Sequence, residues 1–96
     1  MSLEQLIREK SAEIRHVAAR HGARNVRVFG SVVRGEAGAT SDVDFLVEVG
    51  AETSAWFPAG LVLDLEALLG RPVDVVTEQS LHPTLREVVL SEARPV

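Results

Sequence analysis

The sequence predicts an α/β (α+β) fold in which a small mixed β-sheet is flanked by helices, in the order α-β-α-β-α-β-α. Three observations lead to it: helical spacing of apolar residues in some segments, short alternating or apolar runs in others, and the lengths of the connections. The chain has 96 residues, of which 46% are hydrophobic and 25% charged. We therefore expect one globular domain over residues 1–96 with a single modest core.

Three longer segments have the apolar spacing of amphipathic helices. In residues 2–21 the apolar positions recur at steps of three and four, and Ser2 with Gln5 forms a potential capping box. The second helix is predicted over Ala59–Leu69 and the last from about Pro83 to Ala93. A short helical turn is expected after the first strand.

Three strands are predicted between these helices, at Asn25–Phe29, Asp42–Val49 and Pro72–Thr77. Only eleven residues separate Gly30 from Asp42, and a parallel crossover usually needs a dozen or more with a helix. The first two strands are therefore expected to be antiparallel. More than twenty residues, including a helix, join the second strand to the third, which permits a right-handed parallel crossover.

Composition and charge exclude several classes of protein. The chain has no cysteine and a net charge of −4, with a balance of +3 over residues 1–40 and −7 over residues 41–96. The lack of cysteine excludes disulfides and thiolate chemistry, and the negative net charge argues against a nucleic-acid partner. No apolar run approaches the length of a membrane span, and the first residues have no signal-peptide core. We expect a cytoplasmic protein.

Three aspartates are candidate metal ligands. Asp42 and Asp44 lie two apart at the start of a strand, so their side chains project from one face. Asp74 interrupts an otherwise apolar strand, where an unpaired charge is costly. Carboxylate oxygens alone favour Mg²⁺ or Mn²⁺. The alternative is a capping Asp42 beside an Asp44 on a solvated face.

A Gly-Ser turn precedes these aspartates. Gly30 and Ser31 end the first strand, and bare amides with a hydroxyl at such a turn can hold phosphate, although many Gly-Ser turns are ordinary loops. Arg34, in the same loop, is a candidate phosphate or acceptor contact, and a structural role fits it equally well. Ser41 is expected to tether the loop.

Together, Gly30-Ser31, ten intervening residues and Asp42-Val43-Asp44 resemble the signature of the DNA polymerase beta nucleotidyltransferase superfamily. The surrounding residues 29–37 and 41–47, with Asp74 and the tail Leu85–Ala93, resemble its minimal nucleotidyltransferase (MNT) group. The resemblance implies the nucleotidyltransferase fold. It also implies that Asp42, Asp44 and Asp74 bind two Mg²⁺ ions, that Gly30 and Ser31 grip the phosphates of ATP, and that Asp74 helps deprotonate the acceptor.

The resemblance further implies an antitoxin. Many minimal members of the group pair with a HEPN-domain toxin, and some transfer AMP to its tyrosine. We therefore expect a Mg²⁺-dependent protein adenylyltransferase whose acceptor is a partner HEPN toxin. Two alternatives stay open: a non-catalytic antitoxin that acts by binding, and a nucleotidyltransferase that acts on a small-molecule or RNA hydroxyl.

Other polar and aromatic residues receive no catalytic role. His16, His21 and His82 are expected at the surface, in caps or in loops. Trp56 and Phe57 flank Pro58, where they belong either to the core or to a surface that contacts a partner.

Overall fold

The computed structural model describes residues 2–38, 40–51, 53 and 57–96. It contains a four-stranded mixed sheet with the strand order β3-β2-β1-β4. Within the described residues, no helix is long and apolar enough to cross a membrane. The strands are Ala23–Phe29 (β1), Val43–Val49 (β2), Val73–Thr77 (β3) and Arg94–Pro95 (β4), and the helices are Leu3–Glu9 (α1), Ser11–Arg20 (α2), Ala59–Leu69 (α3) and Pro83–Glu92 (α4).

The first helical segment is two helices, whereas the sequence predicts one over residues 2–21. The predicted capping box is present, since Ser2 and Gln5 exchange both hydrogen bonds. Lys10 ends α1 and precedes α2, with φ −92° and ψ 7°. The buried Ile7 of α1 and Ile14 of α2 lie seven residues apart. Because seven residues are about two helical turns, the apolar spacing continues across the break and conceals it.

The sheet has the predicted mixture of directions. β1 pairs with β2 antiparallel and β2 pairs with β3 parallel. Phe45 and its neighbours Val43 and Val47 are fully or almost fully buried, and they join the core cluster that α2 and α3 cover. α3 ends at Gly70, which adopts the left-handed conformation (φ 67°) that favours glycine at a helix end. The core therefore lies on one face of the sheet.

The other face of the sheet carries the candidate site and a buried apolar residue outside the core cluster. Side chains alternate along a strand, so Leu46 faces away from Phe45. Leu46 is fully buried and Val89 is the buried residue of α4, yet neither belongs to the core cluster. We assign α4 to this second face. After α4 the chain enters β4, which pairs with β1; this two-residue strand is absent from the sequence prediction because two residues have no periodicity.

The residues flanking Pro58 divide between the described and undescribed parts of the chain. Phe57 is partly buried and packs against the core, which favours the first of its two predicted roles. Trp56 lies outside the described residues.

Candidate active site

Two of the three candidate aspartates are direct neighbours in the sheet. Asp44 on β2 and Asp74 on β3 are register partners in the parallel pair, so their side chains lie on the same face. Asp42 immediately precedes β2 and is exposed, as is Asp74, whereas Asp44 is partly buried. A hydrogen bond from the Val43 amide to the Pro72 carbonyl (2.9 Å) fixes the start of β2 against β3.

The electrostatics of this face act most strongly on Asp44. Burial raises the pKa of the Asp44 carboxyl above its ordinary value, and the nearby charges of Asp74 and then Asp42 raise it further, while Arg34 lowers it. Burial and like charge both disfavour the ionised carboxylate. The cluster is therefore short of positive charge.

Gly30 lies against the Asp44 carboxylate. β1 ends at Phe29, the register partner of Asp44, and Gly30 then turns the chain with a φ of 81°. A β-carbon at position 30 would overlap the Asp44 carboxylate, well inside van der Waals contact. Glycine is therefore needed at position 30 for its backbone conformation and for the close approach.

Ser31 lies in the short turn that Gly30 opens. Gly30–Val32 form a 3-10 turn, in which the Gly30 carbonyl accepts hydrogen bonds from the amides of Val33 (3.1 Å) and Arg34 (3.2 Å). Ser31 is partly exposed, and among the described residues its hydroxyl has no hydrogen-bond partner. Gly30, Ser31 and the aspartates are thus adjacent, as the predicted phosphate and metal roles require, and those roles stay predictions.

Arg34 is engaged by two carboxylates. Its Nε donates to Glu36 Oε1, and its Nη1 donates to Glu92 Oε1 at 2.7 Å. The hydrogen bond to Glu36, followed by that to Glu92, raises the pKa of the Arg34 guanidinium. This arrangement agrees with the structural role that the sequence left open. The predicted contact with phosphate or acceptor stays a prediction.

Glu92 is a member of the site that the sequence reasoning missed. It is the last residue of α4, and its side chain is only 15% exposed. Its Oε2 accepts a hydrogen bond from the Gly30 amide (3.1 Å) while its Oε1 binds Arg34. Because 62 positions separate Glu92 from Gly30, no local pattern could have indicated the contact.

A second missed residue, Arg71, supports the loop before Asp42. Its Nη2 donates to the carbonyls of Gly38 (2.6 Å) and Ser41 (2.9 Å). The Gly38 amide in turn donates to the Ser41 hydroxyl (2.8 Å), which agrees with the predicted tethering role of Ser41. The entry to β2 is therefore held from the start of β3.

The three histidines have the surface and cap positions that the sequence predicts. His16 is exposed. His21 is the C-cap of α2 and forms a hydrogen bond with Asp64 on α3 (2.7 Å), and His82 is the N-cap of α4, where its ring accepts from the Thr84 amide.

A cavity of about 430 Å³, lined by residues that include Arg8, contains none of the candidate site residues. The candidate site is instead the partly exposed face around Asp44.

Comparison with known proteins identifies the family. A family model described as a nucleotidyltransferase domain matches residues 12–96. The protein adenylyltransferase MntA of Thermococcus cleftensis is 40% identical over 92 residues, which cover 96% of this chain and 93% of that protein. The chain belongs to the nucleotidyltransferase family.

Solved structures agree with the fold of this nucleotidyltransferase. One described as a minimal nucleotidyltransferase has a TM-score of 0.85 and 49% sequence identity, and the match covers 100% of this chain and 97% of the other. A toxin-antitoxin structure with AMP-PNP has a TM-score of 0.75 at 21% identity, over 88% of this chain and 70% of the other, and at that identity it shows the fold alone. The predicted family, fold class and transferase class are confirmed.

Proposed function

We propose that this nucleotidyltransferase transfers AMP from ATP to a hydroxyl group, a tyrosine, of a partner HEPN-domain toxin and thereby acts as its antitoxin in the cytoplasm. One observation carries the proposal: Asp44 and Asp74 are register partners on one sheet face, and the Gly30 turn abuts the Asp44 carboxylate. Carboxylates and a glycine turn so arranged suit phosphate chemistry better than they suit a purely structural role.

The three aspartates would hold Mg²⁺. Among the residues with described positions, no three acidic or histidine side chains are grouped closely enough to enclose a metal ion as they stand. The donor set nevertheless fits, because the ligands are all carboxylates and the pKa of Asp44 is raised first by burial and then by the like charges of Asp74 and Asp42, which a cation would offset. Bound Mg²⁺ ions would supply positive charge to the triphosphate and polarise the reacting phosphorus.

The chain's own residues would bind and orient the reactants. The Ser31 hydroxyl and the backbone amides of Ser31 and Val32 would donate hydrogen bonds to the β- and γ-phosphates, and Gly30, whose own amide is bound by Glu92, would allow the phosphates to approach the backbone closely. The acceptor oxygen would attack the α-phosphorus as the bond to the β-phosphate oxygen breaks and pyrophosphate leaves. Asp74, which is exposed beside Asp44, would accept the proton that the acceptor hydroxyl loses.

The protein acceptor is supported by the openness of the site and by the relatives. Asp42 and Asp74 are exposed, so a side chain from another molecule can approach them. The Thermococcus cleftensis relative is named a protein adenylyltransferase, and one structural neighbour is a toxin-antitoxin with AMP-PNP. These names support a protein acceptor more than a small-molecule or RNA hydroxyl.

Intact-mass spectrometry tests the proposal. The protein is incubated with ATP, MgCl₂ and the product of the neighbouring toxin gene, and the toxin is expected to gain the mass of AMP. Asp44→Asn should abolish the gain. Asp64→Asn is the matched control, because Asp64 lies on α3 beside His21 and away from the site, and it should preserve the gain.

Two results would contradict the proposal in different ways. If the toxin gains no mass with the wild-type protein but is still neutralised, and Asp44→Asn neutralises it equally well, the protein is an antitoxin that acts by binding. If mass appears instead on an RNA or a small molecule, the chemistry stands and the assigned acceptor is wrong.

A further inference from the structure

The Glu92 carboxylate joins the end of α4 to the turn that precedes the aspartates. One oxygen accepts the Gly30 amide at 3.1 Å and the other accepts Arg34 Nη1 at 2.7 Å. The side chain is 15% exposed, whereas that of Arg34 is 50% exposed. A mostly enclosed carboxylate that uses both oxygens is held in one position, unlike a typical surface glutamate.

These contacts fix both sides of the Gly30 residue. Its amide is held by Glu92, and its carbonyl is held by the amides of Val33 and Arg34. The direction in which Ser31 and the following amides point depends on the left-handed conformation of Gly30 (φ 81°). A residue that fixes the Gly30 amide therefore also fixes the orientation of Ser31.

The negative charge of Glu92 lies close to the other carboxylates of the site and is by itself unfavourable there. Glu92 is a fourth carboxylate close enough to Asp44 to raise the pKa of that group, and a triphosphate would add more negative charge. The Arg34 guanidinium and the Gly30 amide offset the charge of Glu92 by charge-assisted hydrogen bonds. The energetic cost is thus compensated by contacts that order the turn.

We propose that Glu92 is a positioning residue for nucleotidyl transfer: it anchors the Gly30 amide so that Ser31 and the turn amides are oriented toward the phosphates of the nucleotide. This inference rests on the proposed function. The role assigned to Glu92 is to act through Gly30 and not by touching the reactants itself. The length of the Glu92 side chain matters more than its charge, because an acceptor oxygen must lie within hydrogen-bonding distance of the Gly30 amide.

Four substitutions separate reach from charge. Glu92→Ala removes both contacts. Glu92→Gln keeps one acceptor oxygen at the same distance for the Gly30 amide, but it loses the charge and replaces the oxygen that accepts from Arg34 with an NH2 group that can only donate. Glu92→Asp keeps the charge but is shorter by one methylene group. Glu87→Ala is the control, because Glu87 is an exposed glutamate on the same helix.

The kinetic constants for ATP, measured on the full chain with Mg²⁺ and the toxin, test the proposal. We expect Glu92→Ala and Glu92→Asp to raise KM for ATP about 10- to 100-fold, because in both variants the Gly30 amide loses the hydrogen bond that anchors the turn. Glu92→Gln should stay within about fivefold of wild type, and Glu87→Ala should match it. Amide hydrogen exchange of Gly30 in the free protein should accelerate in the Ala and Asp variants only.

Each outcome bears on the inference. An unchanged or lower KM in a folded Glu92→Ala protein would overturn it, and a lower value would mean that Glu92 competes with phosphate. If Glu92→Ala does not fold, the Glu92→Gln and Glu92→Asp variants test the proposal instead. An active Glu92→Asp variant together with an impaired Glu92→Gln variant would show that the charge of Glu92 matters and not its contact with the Gly30 amide, which would overturn the proposal. Loss of transfer in the wild type would instead contradict the proposed function, while Gly30 exchange still tests the anchor.

Discussion

Asparagine at position 44 should stabilise the metal-free protein. Asp44→Asn preserves the shape of the side chain and removes a carboxylate whose pKa is raised by burial and by Asp74 and Asp42. A carboxyl with a raised pKa in the folded state binds its proton more readily when folded. The ionised form therefore reduces the free energy of unfolding at every pH above the folded pKa. Natural residues at functional sites often have this cost.

The magnitude follows from the sheet geometry. Asp44 and Asp74 are register partners on neighbouring strands, which places unit charges about 5 Å apart. Because Asp74 is exposed, the repulsion is near its value in water, about 0.8 kcal/mol, and the partial burial of Asp44 adds to it. We expect a gain of about 1 kcal/mol at pH 7. For a domain of this size the gain corresponds to a rise in Tm of about 4–8 °C.

Thermal unfolding in a chelating buffer measures the effect, with Asp64→Asn as the matched control. Asp64 hydrogen-bonds to His21, so its asparagine variant should be neutral or slightly destabilised. The gain of Asp44→Asn should be constant above the folded pKa and shrink as the pH falls towards the unfolded value of about 3.9. An Asp44→Asn protein that is less stable than wild type at pH 7 would refute the reasoning.

Three further predictions concern the Gly30 turn, the proposed metal ligands and the loop before Asp42. In chemical denaturation, Gly30→Ala should reduce the free energy of unfolding by at least about 2 kcal/mol, because its β-carbon would overlap the Asp44 carboxylate. Gly35→Ala is the control: Gly35 also has a positive φ (73°) but nothing within 4 Å of a new β-carbon, so the loss should be about 1 kcal/mol, and equal losses in the two variants would contradict the clash with Asp44. MgCl₂ at ten times its Kd should stabilise the wild type by about 1.4 kcal/mol in thermal unfolding, and Asp74→Asn should lose most of that gain; an undiminished gain would place the ion elsewhere. Arg71→Ala should cost about 1–3 kcal/mol and accelerate hydrogen exchange of the Gly38 amide, and unchanged exchange would show that the loop does not depend on Arg71.

Regular segments of the fold could be predicted from the sequence because each has a local signal. The apolar spacing of Ala59–Leu69 and the alternation that leads into β2 follow from side-chain directions in helices and strands. The connection lengths gave the antiparallel and parallel pairings correctly. The break between α1 and α2 at Lys10 could not be predicted, because the apolar period continues through it. β4 could not be predicted either, because it is held in place by pairing with β1 and not by a pattern in its own sequence.

The candidate site was predictable only as far as its residues lie in short motifs. One turn and the start of one strand contain four of the predicted residues, Gly30, Ser31, Asp42 and Asp44. Asp74 could be predicted because it is a charged residue in an otherwise apolar strand. Glu92 and Arg71 reach the same region through the tertiary fold. Their contacts span 62 and about 30 positions respectively. Such contacts depend on how α4 and β3 pack, which no local pattern encodes.

Label transfer tests the central claim, nucleotidyl transfer to a protein partner, most directly. Wild-type protein and toxin are incubated with MgCl₂ and ATP labelled with ³²P at either the α- or the γ-phosphate, and labelled toxin is counted after denaturing gel electrophoresis. Transfer of AMP predicts label on the toxin from the α-phosphate only, and none with Asp44→Asn. Label from the γ-phosphate, or from neither, would contradict the claim.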